Sequence, residues 1–381
     1  MNVLNVIMSL DPVMGGGAVE RTFQMSQYLV KAGIDCTILT TDDGLSPKRL
    51  SELDGITVIA LPCLIKRFIV PIFSFKKIIS IVKNADIIHL MGNWSLLNAL
   101  VYIIARRFKI PYLVCSAGML PIYGRSRFLK NLYNFLVGKK IIRNADGLIA
   151  VTADEIPHFK AYGVNQEKIT VIPNGISQRD FQTESDFEFL NKYYLTDIPF
   201  VLFVASLKHI KGPDLLLQAF CNAMGDLHPY HLVFVGPDGG MLSELKDMVK
   251  RYNASERVHF LGYLGGVDKS KIYYASKLLV IPSRQEAMSI VVLEAGITST
   301  PVLLTDQCGF NDIANFEGGK VVSATVEGLQ NGLIEILRDT KKLKFMGKNL
   351  KNFTCKYFTW DLIIEKHLSL YNQILVKKRL E

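Results

Sequence analysis

Short apolar runs alternate with helix-length amphipathic segments along nearly the whole chain, and that alternation leaves few folds open. It is the pattern of repeated βαβ units around a parallel sheet. Strands are expected at 3–10, 36–41, 57–61, 87–90, 112–116, 147–151 and 170–172, with helices in the gaps, for example 20–32 and 96–108. After Pro173-Asn174-Gly175 the pattern lapses into a polar, aromatic-rich stretch, 178–197. It then restarts at 199–205, 231–236, 258–262, 278–282 and 301–305. A chain of 381 residues exceeds one compact core, so two α/β domains are expected, 1–180 and 181–360. Residues 361–381 read as an amphipathic helix packing back across the junction. Two facing doubly wound domains leave a crevice at the carboxyl ends of their strands, where such sheets bind ligands.

Composition narrows the class. Net charge is +9 and uneven: residues 1–180 carry 21 Lys/Arg against 13 Asp/Glu, and the remainder is nearly neutral. A basic first half suits an anionic surface or substrate. The six cysteines (Cys36, Cys63, Cys115, Cys221, Cys308, Cys355) show no CxxC and no metal spacing with histidine, so they read as reduced, buried thiols. The start, MNVLNVIMSL, lacks a positive n-region and reads as a first strand rather than a signal peptide. No run reaches the roughly 18 apolar residues of a spanning helix.

The most informative segment is 281–296, IPSRQEAMSIVVLEAG. A strand ends at Pro282, a loop carries Glu286, and a helix starts near Ser289, a plausible N-cap, with Glu294 inside it. The helix N-terminus suits a diphosphate. Two carboxylates beside phosphate would be repelled unless they bind hydroxyls, which assigns them to sugar and ribose. An ordinary amphipathic helix with two unrelated surface glutamates would share this pattern.

The spacing Glu286-x(7)-Glu294 followed by Ala295 resembles the signature of glycosyltransferase family 4, whose members have the GT-B fold of two Rossmann-like domains and are retaining and nucleotide-sugar-dependent. Other segments agree in order: Gly15-Gly16-Gly17-Ala18-Val19-Glu20 with the family's glycine loop; Ile88-His89 through Gly92-Asn93-Trp94-Ser95 with its acceptor-side segment; Val171 to Ile176 with its "IPNG" element; and Phe203-Val204-Ala205 through Lys211-Gly212 and Asp214-Leu215-Leu216 with the loop supplying a phosphate-binding lysine.

The resemblance implies an acceptor-binding first domain and a donor-binding second one. Glu286 would bind donor-sugar hydroxyls, Glu294 the ribose, and Lys211 the diphosphate leaving group. Ala287 and the amides of Met288, Ser289 and Ile290 would hold the distal phosphate and sugar. Gly16 and Gly17 would let the backbone approach the phosphates. Gly262, Tyr263 and Leu264 would lie beside the base. His89, Asn93, Trp94, Ser116 and Gly118 would face the acceptor. Two departures stand out. Ala205-Ser206-Leu207 replaces the family's "GRL", so Ser206 occupies the place of a phosphate-binding arginine, with Lys208 and His209 nearby. The stretch 114–120, VCSAGML, has Ala117-Gly118 where many relatives carry a histidine.

No DxD and no His/Asp cluster with metal spacing is seen, so no metal or other cofactor is expected, and Lys211 with the helix N-terminus would neutralise the leaving group. No carboxylate is obviously placed as a covalent nucleophile, which favours front-face retention. The histidine at the end of its strand, His89, is as readily structural as functional, and Trp94 serves as stacking platform or core. The stretches 64–83 (Lys66, Arg67, Lys76, Lys77, Lys83) and 123–143 carry basic residues without acids, beside Phe, Tyr and Leu. With a mean hydropathy of +0.22, they point to an anionic membrane surface and a lipid-linked or glycan acceptor at the cytoplasmic face, and away from nucleic acid. UDP is the expected base, and polysaccharide biosynthesis the expected setting. The competing readings are a nicotinamide-dependent enzyme, which GGGAVE fits poorly against GxGxxG, a nucleotide-sugar epimerase, and a degenerate binding protein.

Overall fold

The computed structural model describes residues 1–122 and 126–380; Tyr123 and Arg125 of the second basic stretch, Glu381, and the side chain of Arg67 lie outside the described residues. The chain divides into two compact units, Met1–Gly175 with Trp360–Glu381, and Ile176–Thr359. The chain crosses at Gly175/Ile176, five residues before the expected position, and the C-terminal helix, Trp360–Leu380, belongs to the first unit.

The first unit holds a seven-stranded sheet: β1 (Asn2–Val6), β2 (Asp35–Thr41), β3 (Thr57–Leu61), β4 (Ile87–Met91), β5 (Tyr112–Cys115), β6 (Gly147–Ala150) and β7 (Ile169–Val171). Their order is β3-β2-β1-β4-β5-β6-β7, and every pairing is parallel. The central strands are mostly apolar and almost wholly buried, as expected of a parallel sheet covered on both faces, with Asn5 and His89 as buried polar exceptions. Helix α1 (Gly16–Lys31) follows β1, and α2 (Leu96–Phe108) follows β4, capped by the Ser95 hydroxyl accepting from the Asn98 amide. A short hairpin, Cys63–Ile65 with Val70–Pro71, was not expected from the sequence.

Arg21 on α1 ties this unit together. It is buried, and its guanidinium donates to the carbonyls of Ile172 and Pro173 and to Asn174 Oδ1, with His367 Nε2 of the C-terminal helix 3.3 Å away. The Pro-Asn-Gly segment is thereby fastened to α1. A Cβ at Gly175 would collide with the Trp360 indole, which stacks on Tyr28 of α1.

The second unit holds six parallel strands: β8 (Phe200–Val204), β9 (His231–Val235), β10 (Val258–Gly262), β11 (Leu278–Ile281), β12 (Val302–Thr305) and β13 (Gly319–Val322), in the order β10-β9-β8-β11-β12-β13. Strand β13 was not expected; its four residues include two glycine- or lysine-type positions and give little apolar signal. The polar stretch 178–197 is also partly ordered, with a helix Phe187–Lys192 whose N-cap Asp186 accepts from the Phe189 amide. Helices α3 (Pro213–Asn222), α4 (Gly266–Ala275) and α5 (Ile290–Ile297) carry the residues considered next. In both sheets the strand order reverses beside the first strand of the unit, and such switch points open a crevice at the strands' carboxyl ends. Four cysteines are buried, whereas Cys63 and Cys355 are half-exposed, contrary to the expectation that all six are buried.

Candidate functional site

In the second unit the switch point lies between β8 and β11, and the loops leaving these two strands carry Lys211 and Glu286. The chain leaves β8 through Ala205 and Ser206. It makes a single 3-10 turn, His209–Lys211, and enters α3 at Pro213. Gly212 sits at φ +67°, and a Cβ there would overlap the Pro282 carbonyl, so glycine lets this turn lie directly on the end of β11. Arg284 fastens the same two loops. Its guanidinium forks onto Asp214, and it also donates to the His209 carbonyl at 2.6 Å.

The Glu286 loop is held from its other side too. The Glu286 amide donates to the Gln307 carbonyl at 2.8 Å, Thr305 Oγ1 donates to the Ser283 carbonyl, and Gly309 packs where any side chain would strike Ala287. The outcome is an ion pair between Lys211 Nζ and Glu286 Oε1. Glu286 Oε2 is buried without a hydrogen-bond partner among the described residues. Burial first and the Glu286 charge second push the neighbouring Cys308 thiol up to about 12, so it stays a neutral, structural thiol.

Glu294 lies inside α5, buried to 3% exposure, and is no surface glutamate. Lys269 Nζ approaches its Oε1 at 2.5 Å, and Tyr273 Oη donates to its Oε2 at 2.7 Å. Both partners lie four residues apart on one face of α4, which is why one carboxylate meets both. The sequence reading missed Lys269, Tyr273 and Arg284; the four-residue spacing of lysine and tyrosine was the available signal for the first two. Ser289 does occupy the N-cap position of α5, but its side chain makes no cap hydrogen bond, so only the backbone shapes this helix start. Met288 and Ser289 are buried, while Ala287 and Ile290 are half-buried. Gly262 is exposed at φ +72°, Tyr263 is exposed, and Leu264 is buried. Ser206 is half-buried, its carbonyl accepting from the Lys208 amide at 2.7 Å.

In the first unit the switch point lies between β1 and β4. Gly16 and Gly17 are exposed at the start of α1, and Gly16 has φ +65°. Past the end of β4, Asn93 and, past β5, Ser116 are almost fully buried, yet Asn93 Nδ2 and Ser116 Oγ have no hydrogen-bond partner among the described residues. Trp94 is half-buried at φ +61°; its Nε1 donates to the Met119 carbonyl and its ring meets Tyr133 edge-on. Gly118, at φ +83°, donates its amide to Glu155 Oε1.

His89 needs correcting. It is the middle residue of β4, not its end, and has no exposed surface. Its Nδ1 lies 3.1 Å from Tyr371 Oη on the C-terminal helix, with His367 also packed against it. Burial, then the nearby Arg21 charge, lowers its pKa to about 3 and keeps it neutral. A sealed, neutral imidazole does not touch an acceptor.

The basic stretches expose their apolar side chains. Phe128 and Phe135 are 77% and 80% exposed, with Leu129, Leu132 and Leu136 exposed beside them; in the other stretch Leu64, Phe68, Ile72 and Phe75 are exposed. Among the described residues no helix is long and apolar enough to cross a membrane, and no group of three His, Cys, Asp or Glu side chains is placed to hold a metal.

Comparison with known proteins matches the two units to two family models: Glycosyltransferase Family 4 over residues 15–179, and Glycosyl transferases group 1 over residues 187–353. An uncharacterized glycosyltransferase of Methanocaldococcus jannaschii, MJ1607, is 27% identical over 217 residues, 55% of each chain. The D-inositol 3-phosphate glycosyltransferase of Gordonia bronchialis is 28% identical over 250 residues, 62% of this chain and 54% of that one. The chain thus spans about half the length of the curated relatives it matches. Among solved structures, Anabaena Alr3699/HepE in complex with UDP and glucose superposes with a TM-score of 0.79 at 17% identity, covering 98% of this chain and 100% of that one, and shares the GT-B fold. With both halves matched in order, the chain belongs to glycosyltransferase family 4.

Proposed function

We propose that this protein is a retaining hexosyltransferase that moves a sugar from a UDP-sugar to a glycan or lipid-linked saccharide in polysaccharide biosynthesis. The observation that carries the reading is the Lys211–Glu286 pair: a cation and a carboxylate held side by side at a switch point, with the second carboxylate oxygen buried and unpartnered. A buried acceptor without a donor is costly, and a sugar hydroxyl supplies that donor. Lys211 then faces the departing diphosphate, whose negative charge grows as the glycosidic bond breaks. The start of α5 adds amides from Met288, Ser289 and Ile290, and Ala287 lies against the donor sugar. Glu294, held in place by Lys269 and Tyr273, accepts the ribose hydroxyls. Gly262, Tyr263 and Leu264 flank the base, and Ser206 lines the phosphates.

Asn93 Nδ2 and Ser116 Oγ, also buried and unpartnered, take acceptor hydroxyls, with Trp94 as a stacking surface and Gly118 shaping the turn. The acceptor oxygen attacks the face from which the diphosphate leaves, and its proton passes to the leaving phosphate oxygen. Lys211 makes a metal unnecessary; activity lost to a chelator and restored by Mg²⁺ would overturn that part. UDP is favoured by the HepE complex, a fold relative that binds UDP and glucose. The exposed aromatic and aliphatic side chains in the first unit's basic stretches suit an anionic membrane surface, where a lipid-linked acceptor would be presented at the cytoplasmic face.

A thermal-shift panel of UDP, GDP, ADP and their hexose conjugates tests the donor. Saturation at about a hundred times Kd stabilises by about 2.7 kcal/mol, so one base and one sugar should stand out. No shift with any of them would favour a protein that has lost its donor site along with the arginine at Ser206.

A further inference from the structure

Glu155 is buried to 3% exposure, and both its oxygens serve the backbone. Oε1 accepts from the Gly118 amide at 2.5 Å, in the turn after β5, and Oε2 accepts from the Val151 amide at 2.6 Å, just past β6. These strands are neighbours in the sheet, so one carboxylate bridges two adjacent strand ends. The turn it grips is unusual. Ala117 and Gly118 both have positive φ, +43° and +83°, and the Met119 amide closes the turn onto the Ser116 carbonyl. A non-glycine residue in that region persists only where its surroundings hold it there. Charge-assisted bonds from a carboxylate to two amides are a strong way of holding it.

We propose that Glu155 is a positioning residue: it sets the shape of the turn at Ser116, Ala117 and Gly118, and so aims Ser116 Oγ at the acceptor. The inference rests on the acceptor reading above and goes beyond it. It also explains how the turn works without a histidine. The Gly118 amide is occupied by Glu155, so the turn serves an acceptor through its shape and through Ser116. Among the described residues, the titratable groups that face Glu155 are Arg21 on α1, Cys115 on β5 and His158 on the helix Ile156–Ala161.

Hydrogen exchange tests this without any acceptor. In the wild-type protein the Gly118 amide, although in a turn, should be protected like those of the sheet; free exchange there overturns the proposal before any variant is made. In Glu155→Gln the side-chain amide can accept from only one of the two N–H groups, so exchange at Gly118 should rise about tenfold. Amides of β1 and β4 should keep their wild-type protection, and UDP affinity should stay unchanged. Loosening of the whole first unit would overturn the positioning role in favour of a general one. A pH series supplies a further readout: protonation takes away an accepting oxygen, and burial moves it above the ordinary glutamate range. Corrected for intrinsic rates, Gly118 protection should fall with pH relative to Gly92, whose amide bonds the Cys115 carbonyl. Glu155→Gln should abolish that difference, and its persistence would count against Glu155. Ser116→Ala tests the acceptor reading separately, through loss of transfer to saccharide at unchanged exchange.

Discussion

Arg284 meets both carboxylate oxygens of Asp214, at 2.8 and 2.6 Å, and so locks the loop of Glu286 to the helix that begins beside Lys211. Burial alone would raise the Asp214 pKa; the Arg284 hydrogen bonds and charge outweigh it and hold it below the ordinary value. A depressed folded pKa gives stability that is complete above the unfolded pKa, about 3.9, and is lost as pH falls through the lower folded value. Asp214→Asn should therefore cost about 2 kcal/mol at neutral pH and flatten the acid limb of the stability curve, as read by urea unfolding across pH. Turnover should drop about tenfold, since Lys211 loses its anchor.

Gly212→Ala places a methyl group on the Pro282 carbonyl at φ +67°. Relief requires the Lys211 turn to lift off β11. The expected effect is a loss of about 1–3 kcal/mol and a fall in donor turnover far larger than that of an alanine at exposed Gly225. Equal effects at the two glycines would contradict the close approach.

Tyr273→Phe strips Glu294 of one donor and should destabilise the second unit by about 1–3 kcal/mol. Lys269→Met should cost more, because it leaves a buried carboxylate without its cation. Denaturant midpoints compare the two directly.

Much of this site was legible because glutamates eight residues apart, flanking a strand end and a helix start, carry their spacing in the sequence. The lysine turn was legible for the same reason, since Gly212 and Asp214 sit beside Lys211. What could not be read is pairing between distant segments. Arg284 reaches Asp214 across 70 residues, and Lys269 and Tyr273 reach Glu294 from another helix. His89 was misread because what seals it, Tyr371 and His367, lies about 280 residues away on the C-terminal helix. Strand β13 was missed because GKVV is short and half-exposed, and its partner β12 supplies the apolar contact.

Phe128 and Phe135 project from the first unit's basic segment. Inserted into a bilayer, each contributes about 1.5–3 kcal/mol. Replacing both with serine should weaken sedimentation with phosphatidylglycerol vesicles at low salt by at least about tenfold, with UDP affinity unchanged. Failure of the wild-type protein to sediment with such vesicles would remove the membrane from the account.

The central claim is that the Lys211–Glu286 pair handles the donor sugar and its leaving group. Glu286→Gln tests it most directly, with UDP affinity measured by calorimetry and turnover of the cognate UDP-sugar measured beside it. The account predicts turnover reduced by about a hundredfold or more and UDP affinity within about threefold of wild type. Turnover preserved in Glu286→Gln would contradict it.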